Sequence, residues 1–223
     1  EHSDVHEVTR IRGRRANALL RYDFKGNLTR KLGRDGLQLT WDAENRLASA
    51  RKRGRVSSYR YDALGRRVGK QVGREFTIFV YSGNQVIEEY TTKQKPGRKG
   101  RKLLTLNSQL VTSAYVYADY IDEPVCMITE SNTYYYHTNH LYSVAALTDS
   151  DGTVVERYAY NAYGGVDVVV DDNKVKNPYF FTGRRLDSET GLYYFRARMY
   201  DASLGRFISR DPIGYPDGCV PRA

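Results

Sequence analysis

The carboxylates that recur most regularly are Asp23, Asp42 and Asp62, each directly after an aromatic residue: Tyr22, Trp41 and Tyr61. Carboxylates held close together can ligate a metal or divide acid and base roles between them. These stand 19 and 20 residues apart, each inside its own turn signal. The chemistry that fits them is capping of the turn's backbone amides. His137 and His140 are the next candidates. A spacing of three puts them on opposite faces of a strand, so a shared metal would need a turn there, and core packing is the expected role. The other histidines are His2 and His6, and nothing among the four points to a Ser/His/Asp or Cys/His arrangement. Cys126 and Cys219 are too few for a four-ligand zinc site, and two positions leave their redox state open. No metal and no cofactor are expected.

The turn carboxylates belong to a repeat. Tyr22-Asp23-Phe24-Lys25-Gly26-Asn27-Leu28 returns as Trp41-Asp42-Ala43-Glu44-Asn45-Arg46-Leu47, and again as Tyr61-Asp62-Ala63-Leu64-Gly65-Arg66-Arg67. Tyr81 keeps the phase without the Asp, and degenerate copies start at Tyr160 and Tyr200. The aromatic ends a strand and offers a ring for packing. Gly26, Asn45 or Gly65 tolerates the left-handed backbone of a tight reversal. The next strand starts at Leu28, Leu47 or Arg67. A unit of this length is about two strands and two turns, one hairpin per repeat. One hairpin cannot bury its own face, so successive hairpins should add side by side into a sheet. Phe76–Tyr81 and Thr153–Tyr160 are β-branched and aromatic runs. Tyr193–Tyr200 alternates, which predicts a single strand with Tyr193, Phe195, Ala197 and Met199 on one face.

Composition agrees with a folded β protein. The 223 residues include 20 Tyr, 7 Phe and 1 Trp, and no 18-residue apolar run suggests a membrane helix. The chain begins at Glu1 without an initiator Met or a leader pattern, and reads as a fragment of something longer. The net charge of +9 is unevenly spread. Residues 1–110 carry 25 Lys and Arg against 11 Asp and Glu, while residues 111–223 carry 10 against 15. The densest stretch, residues 93–102, contains Pro96, Gly97 and Gly100 and predicts a solvated loop. A basic, ring-rich first half keeps an anionic polymer, cell-wall polysaccharide or nucleic acid, as an alternative ligand class, although the Arg residues are scattered through repeats and turns.

These repeats resemble the YD repeats of Rhs proteins, and the second half resembles the Rhs repeat-associated core. The core likeness runs through Tyr134-Tyr135-Tyr136-His137-Thr138-Asn139-His140-Leu141, Phe181-Thr182-Gly183-Arg184, Asp187 and Thr190-Gly191-Leu192-Tyr193-Tyr194. It continues through Arg196-Ala197-Arg198 to Gly205-Arg206-Phe207-Ile208-Ser209-Arg210-Asp211-Pro212-Ile213-Gly214. Asn139 stands where the family usually has Asp, and Tyr142 where it usually has Gly. The resemblance implies an all-β fold of antiparallel hairpins in a curled sheet, a segment of a hollow shell closed by the core, as in toxin-complex shell subunits and teneurins. It divides the chain into a possible incomplete upstream repeat (1–20), YD repeats (21–110), the core (111–214) and a truncated tail (215–223). It implies a structural, non-enzymatic role in a secreted or cell-surface protein. The expected partners are the rest of a larger shell or a C-terminal toxin cargo, with a cell-surface polymer as a further possibility and nucleic acid not expected.

One catalytic constellation follows from the resemblance. The family's self-cleavage is attributed to an Arg-Asp pair, matched here by Arg210-Asp211, and a second Asp some twenty residues on. Two carboxylates with separated pKa values would share the acid and base work, and Arg210 would hold a carboxylate ionised. The chain ends at Ala223 without the second motif. Asp211 is therefore expected to be structural, a remnant of a self-cleaving aspartyl protease.

Overall fold

The alternation of inward and outward side chains builds the architecture. A computed structural model describes residues 7–12, 17–33, 36–93, 113–171 and 175–213. The outer sheet contains β1 (Arg10–Ile11), β2 (Ala18–Tyr22), β3 (Leu28–Gly33), β4 (Leu37–Trp41), β5 (Leu47–Lys52), β6 (Arg55–Tyr61), β7 (Arg67–Val72) and β8 (Glu75–Ser82). It continues with β9 (Gln85–Lys93), β10 (Ser113–Tyr117), β11 (Pro124–Thr129), β12 (Thr133–Thr138), β13 (Val144–Thr148), β14 (Val154–Tyr160) and β15 (Val166–Asp171). All fifteen follow sequence order and pair antiparallel with their neighbours. A second sheet of four strands, β16 (Arg185–Asp187), β17 (Leu192–Phe195), β18 (Arg198–Asp201) and β19 (Arg206–Phe207), packs inside the first. The expected all-β fold of antiparallel hairpins is what the chain adopts.

The turn Asp residues do what their type predicts. The Oδ1 atom of Asp23 accepts from the amides of Lys25 and Asn27, that of Asp42 from Glu44 and Arg46, and that of Asp62 from Leu64 and Arg66. Asn139 makes the same pair to Leu141 and Ser143, so its acceptor oxygen replaces the carboxylate. The aromatic does more than pack. Trp41 Nε1 donates to the Leu28 carbonyl at 2.8 Å, Tyr61 Oη to Leu47 at 2.9 Å, Tyr81 Oη to Arg67 at 3.0 Å and Tyr160 Oη to Val144 at 2.6 Å. Each ring therefore ties the end of one strand to the start of the strand before it. Arg46 and Arg66, held by Asp42 and Asp62, lie over the Tyr61 and Tyr81 rings.

A one-residue register shift precedes Tyr22, Trp41, Tyr61, Tyr81 and Tyr117. Bulges bend a strand and add local twist. Placed at the same end of these five hairpins, they curl the sheet in one direction. The curl is visible in what the inner sheet reaches. At about 4.8 Å per strand, β3 and β13 of a flat sheet would stand some 48 Å apart, yet the Leu28 amide donates to the Ile208 carbonyl and the Val144 amide to the Phe180 carbonyl, both at the inner sheet.

Two expectations are corrected. Tyr193–Tyr200 is not one strand but a hairpin, β17 and β18, in which Phe195 pairs with Arg198. Arg196 takes a left-handed backbone (φ 59) at the turn, so residues expected on one face fall on two strands. His137 and His140 do not flank one strand either, and neither packs in the core as expected: β12 ends at Thr138, His140 sits in the following turn, and both residues are exposed. Residues 94–102 of the basic loop, Gly214, the tail 215–223 with Asp217 and Cys219, and His2 and His6 lie outside the described residues.

We expect Tyr61→Phe, which removes one hairpin tie and keeps the ring, to cost about 1 kcal/mol in urea unfolding. An unchanged unfolding midpoint would show that the tie contributes nothing.

Candidate functional site

Arg67 occupies the position that Leu28 and Leu47 hold in the preceding repeats, and it is 1% exposed. A charge there needs a counter-ion, and β16 supplies it. Arg67 Nη1 donates to Asp187 Oδ2 at 2.5 Å and Nη2 to Oδ1 at 3.1 Å, a two-pronged pair. The guanidinium lies 4.2 Å from the Tyr194 ring centroid and 5.3 Å from those of Tyr59 and Phe79. Tyr194 Oη accepts from the Arg67 amide, and Tyr81 Oη donates to the Arg67 carbonyl. Lys70 adds contacts to Asp187 at 3.2 Å and Glu189 at 3.4 Å. Nearby, Arg185 pairs with Glu89 and donates to Tyr179 Oη.

This charged seam separates two apolar clusters. On one side, Leu28, Leu39 and Leu47 pack against Leu192, Tyr194, Met199 and Ile208 of the inner sheet. On the other, Tyr115, Tyr136, Leu147 and Tyr158 pack around Tyr179. Further ties run along the interface: Lys31 to Asp201 at 2.7 Å, Lys52 to the Thr190 carbonyl, and Arg184 and Arg196 to Asp122. Beside the seam lies a cavity of about 780 Å³, lined among others by Lys70, Glu89, Glu156, Tyr158, Arg185 and Glu189.

The seam splits its two carboxyls. Burial pushes Asp187 up, but Arg67 and Lys70 more than offset it and hold the group below the usual carboxylate range. Glu189 is pushed up, first by burial and then by the charge of Asp187. Burial alone would lower the Arg67 pKa, yet Asp187 raises it, so the guanidinium stays charged. Arg67, Lys70 and Glu189 are the residues that sequence reasoning passed over. The available signal was a basic residue standing in a leucine position of the repeat.

The core-motif residues fall into three groups. Tyr136 is buried, with its Oη donating to Asn177, and Gly183 (φ 67) packs so closely on Asp122 that a β-carbon would sit 1.8 Å from its carbonyl oxygen. Gly191 and Gly205 are left-handed turn residues beside the inner strands. Arg198 lies 3.7 Å from the Phe207 ring centroid, while Arg206 opens β19. Arg210 and Asp211 face different partners. Asp211 pairs with Arg198 at 2.8 Å, Arg210 stands 3.9 Å from Glu7 and against Gly26, and Pro212 is exposed. His137 Nε2 is 3.0 Å from Thr148 Oγ1. Among the described residues no group of three or more His, Cys, Asp and Glu gathers as metal ligands, and no helix is long and apolar enough to cross a membrane. Cys126 is free, its thiol pushed up by burial.

The Teneurin YD-shell family profile matches residues 3–217. The chain belongs to the teneurin YD-shell family. It is 34% identical over 203 residues to the tRNA3(Ser)-specific nuclease WapA of Bacillus spizizenii, covering 88% of this chain and 8% of that protein. It is 30% identical over 226 residues to double-stranded DNA deaminase toxin A of Burkholderia cenocepacia, covering 88% of this chain and 15% of that one. The crystal structure of TcdB2-TccC3 shares the fold at a TM-score of 0.59 and 19% identity, over 91% of this chain and 13% of the other. The expectation of a non-enzymatic protein is thereby overturned: the relatives of this YD-shell chain bear the names of a nuclease and a deaminase. The chain spans under a fifth of each of these proteins.

Removing one half of the seam should cost far more than removing both. Arg67→Met leaves the buried Asp187 with Lys70 as its remaining cation and should cost about 3–5 kcal/mol, much of it recovered in Arg67→Met/Asp187→Leu. Urea unfolding of the single and double variants measures both; equal losses would contradict the assignment. The two carboxyls also pull stability in opposite directions with pH. Asp187, lowered by folding, contributes stability above the ordinary carboxylate value that is lost as pH falls through its folded pKa. Glu189, raised by folding, contributes stability in acid that is lost as pH rises from 4.5 through its folded pKa. Glu189→Gln should therefore flatten that decline and match or exceed the parent near neutral pH. A less stable variant at neutral pH would contradict this.

Proposed function

We propose that this chain is a shell-and-plug segment of a larger toxin-type protein. In this reading the fifteen-stranded sheet is a stretch of shell wall, and β16–β19 is the plug that closes it. The observation that carries the reading is the inner sheet tied to strands from β3 to β13 of the outer one through Asp201, Asp187 and the Phe180 carbonyl. The neighbouring cavity of about 780 Å³ supports a wall that encloses space on its inner side.

The whole protein would then act as an enzyme toxin of the kind its relatives' names describe, a nuclease or a nucleic-acid deaminase. The shell would hold that toxic segment away from its targets until delivery. A secreted or cell-surface location follows from the same reading, and the expected partners are the remaining shell strands and the toxic cargo. The residues assigned to this function are Arg67, Lys70, Asp187 and Arg185, which lock plug to wall. The turn residues Tyr22, Asp23, Trp41, Asp42, Tyr61 and Asp62 shape the wall.

Limited proteolysis of the full-length protein containing this segment tests the proposal. The segment downstream of the core should be cut slowly in the parent and about tenfold faster in Arg67→Met, a difference of about 1.4 kcal/mol in protection. Equal cleavage in the two proteins, with the outer strands still folded, would overturn the plug.

A further inference from the structure

The turn between β12 and β13 departs from its sister turns. In those turns the residue three after the capping Asp or Asn has a left-handed backbone, and it is Gly26 (φ 81), Asn45 (φ 59), Gly65 (φ 77), Gly152 (φ 80) or Gly164 (φ 82). Here it is Tyr142, at φ 60. A β-carbon makes that conformation costly, and such residues concentrate where a site needs them. The Tyr142 ring stacks on Tyr120, with centroids 4.3 Å and planes 22° apart, and Tyr120 is 45% exposed.

The stacked pair lines a surface pocket of about 350 Å³, together with His140, Thr182, Arg184 and Phe195. Strain gathers around it. Thr182 has φ 49, and Arg196, which grips the lining residue Asp122, has φ 59. Three of the five described non-glycine residues with positive φ thus belong to this one place.

The charges point to the ligand. Arg184 and Arg196 share the single carboxylate of Asp122, which leaves one positive charge in excess. Arg184 lies 4.8 Å from the Phe195 ring centroid, and its buried Nε donor has no hydrogen-bond partner. The volume stands at the small end of ligand pockets, about 300–1,000 Å³, which suits one or two rings. Aromatic faces take the apolar C–H face of a sugar ring, and a guanidinium takes a carboxylate.

We infer that this pocket binds a sugar ring bearing a carboxylate, stacked on the Tyr120–Tyr142 pair with its acid group toward Arg184. The inference does not depend on the shell reading, because it rests on the pocket's own lining, which runs from the turn residues His140 and Tyr142 to Phe195 at the end of β17.

Tyr142→Gly separates binding from folding, because it installs the residue that four of the five sister turns carry. The probe is a glucuronate-containing tetrasaccharide, titrated by calorimetry, with a neutral glucose tetrasaccharide and uridine monophosphate as controls. The parent should bind the acidic sugar saturably and the neutral one more weakly. Tyr142→Gly should bind about tenfold more weakly while its thermal midpoint stays level or rises, and Tyr120→Ala should lose affinity to a similar degree. No saturable binding by the parent, undiminished binding in both variants, a lowered midpoint in Tyr142→Gly, or preference for the mononucleotide would overturn the inference.

Discussion

A fully buried arginine can persist only if something charged comes to meet it, and most of this structure is arranged around that requirement at Arg67. The repeat presents apolar residues at the strand starts Leu28 and Leu47, then a guanidinium at the third. Asp187 answers it from the inner sheet, and the two-pronged geometry allows one alignment of β16 against β7. Apolar packing of Leu192, Met199 and Ile208 supplies area without direction. The buried pair supplies the direction, since a shifted inner sheet would strand a charge.

The outer sheet prepares that meeting by local means. The hairpins that turn after Trp41 and Tyr61 carry a capped turn, a bulge before the aromatic residue and a tie from that ring to the preceding strand. None of these is strong alone. Repeated in phase, they bend a long antiparallel sheet to one side and leave amides such as those of Leu28 and Val144 to be satisfied by the inner sheet. Curl and filling are thus mutually dependent: a flat sheet could not reach the inner one, and an unfilled curl would leave the apolar residues Leu28, Leu39 and Leu47 open to water.

The parts of this fold written in local signals were legible in the sequence. The turns could be read because Asp, Asn and Gly perform there what their chemistry dictates, and the strand order could be read because consecutive hairpins pair. The β17–β18 hairpin was hidden because its turn uses Arg196 and Ala197, which carry no turn signature, and the alternation of apolar residues runs straight across it. The pairing of Asp211 with Arg198 rather than Arg210 was equally invisible, since sequence adjacency says nothing about which cation a carboxylate faces. Arg67 lies between these cases. Its place in the repeat marks it as buried, but only the folded chain shows that its partner is 120 residues away. The enzymatic character of the relatives came from comparison, because their chains extend far beyond the matched region.

The inner sheet is an integral filling of the curled wall. Hydrogen exchange at the amides of Leu28 and Val144 addresses it directly, because both donate to carbonyls of the inner layer. Both should exchange only through global unfolding, with protection equal to that of the central outer strands. Rapid exchange at these two amides, with the outer-sheet ladders still protected, would mean that the inner sheet detaches on its own and is not an integral filling.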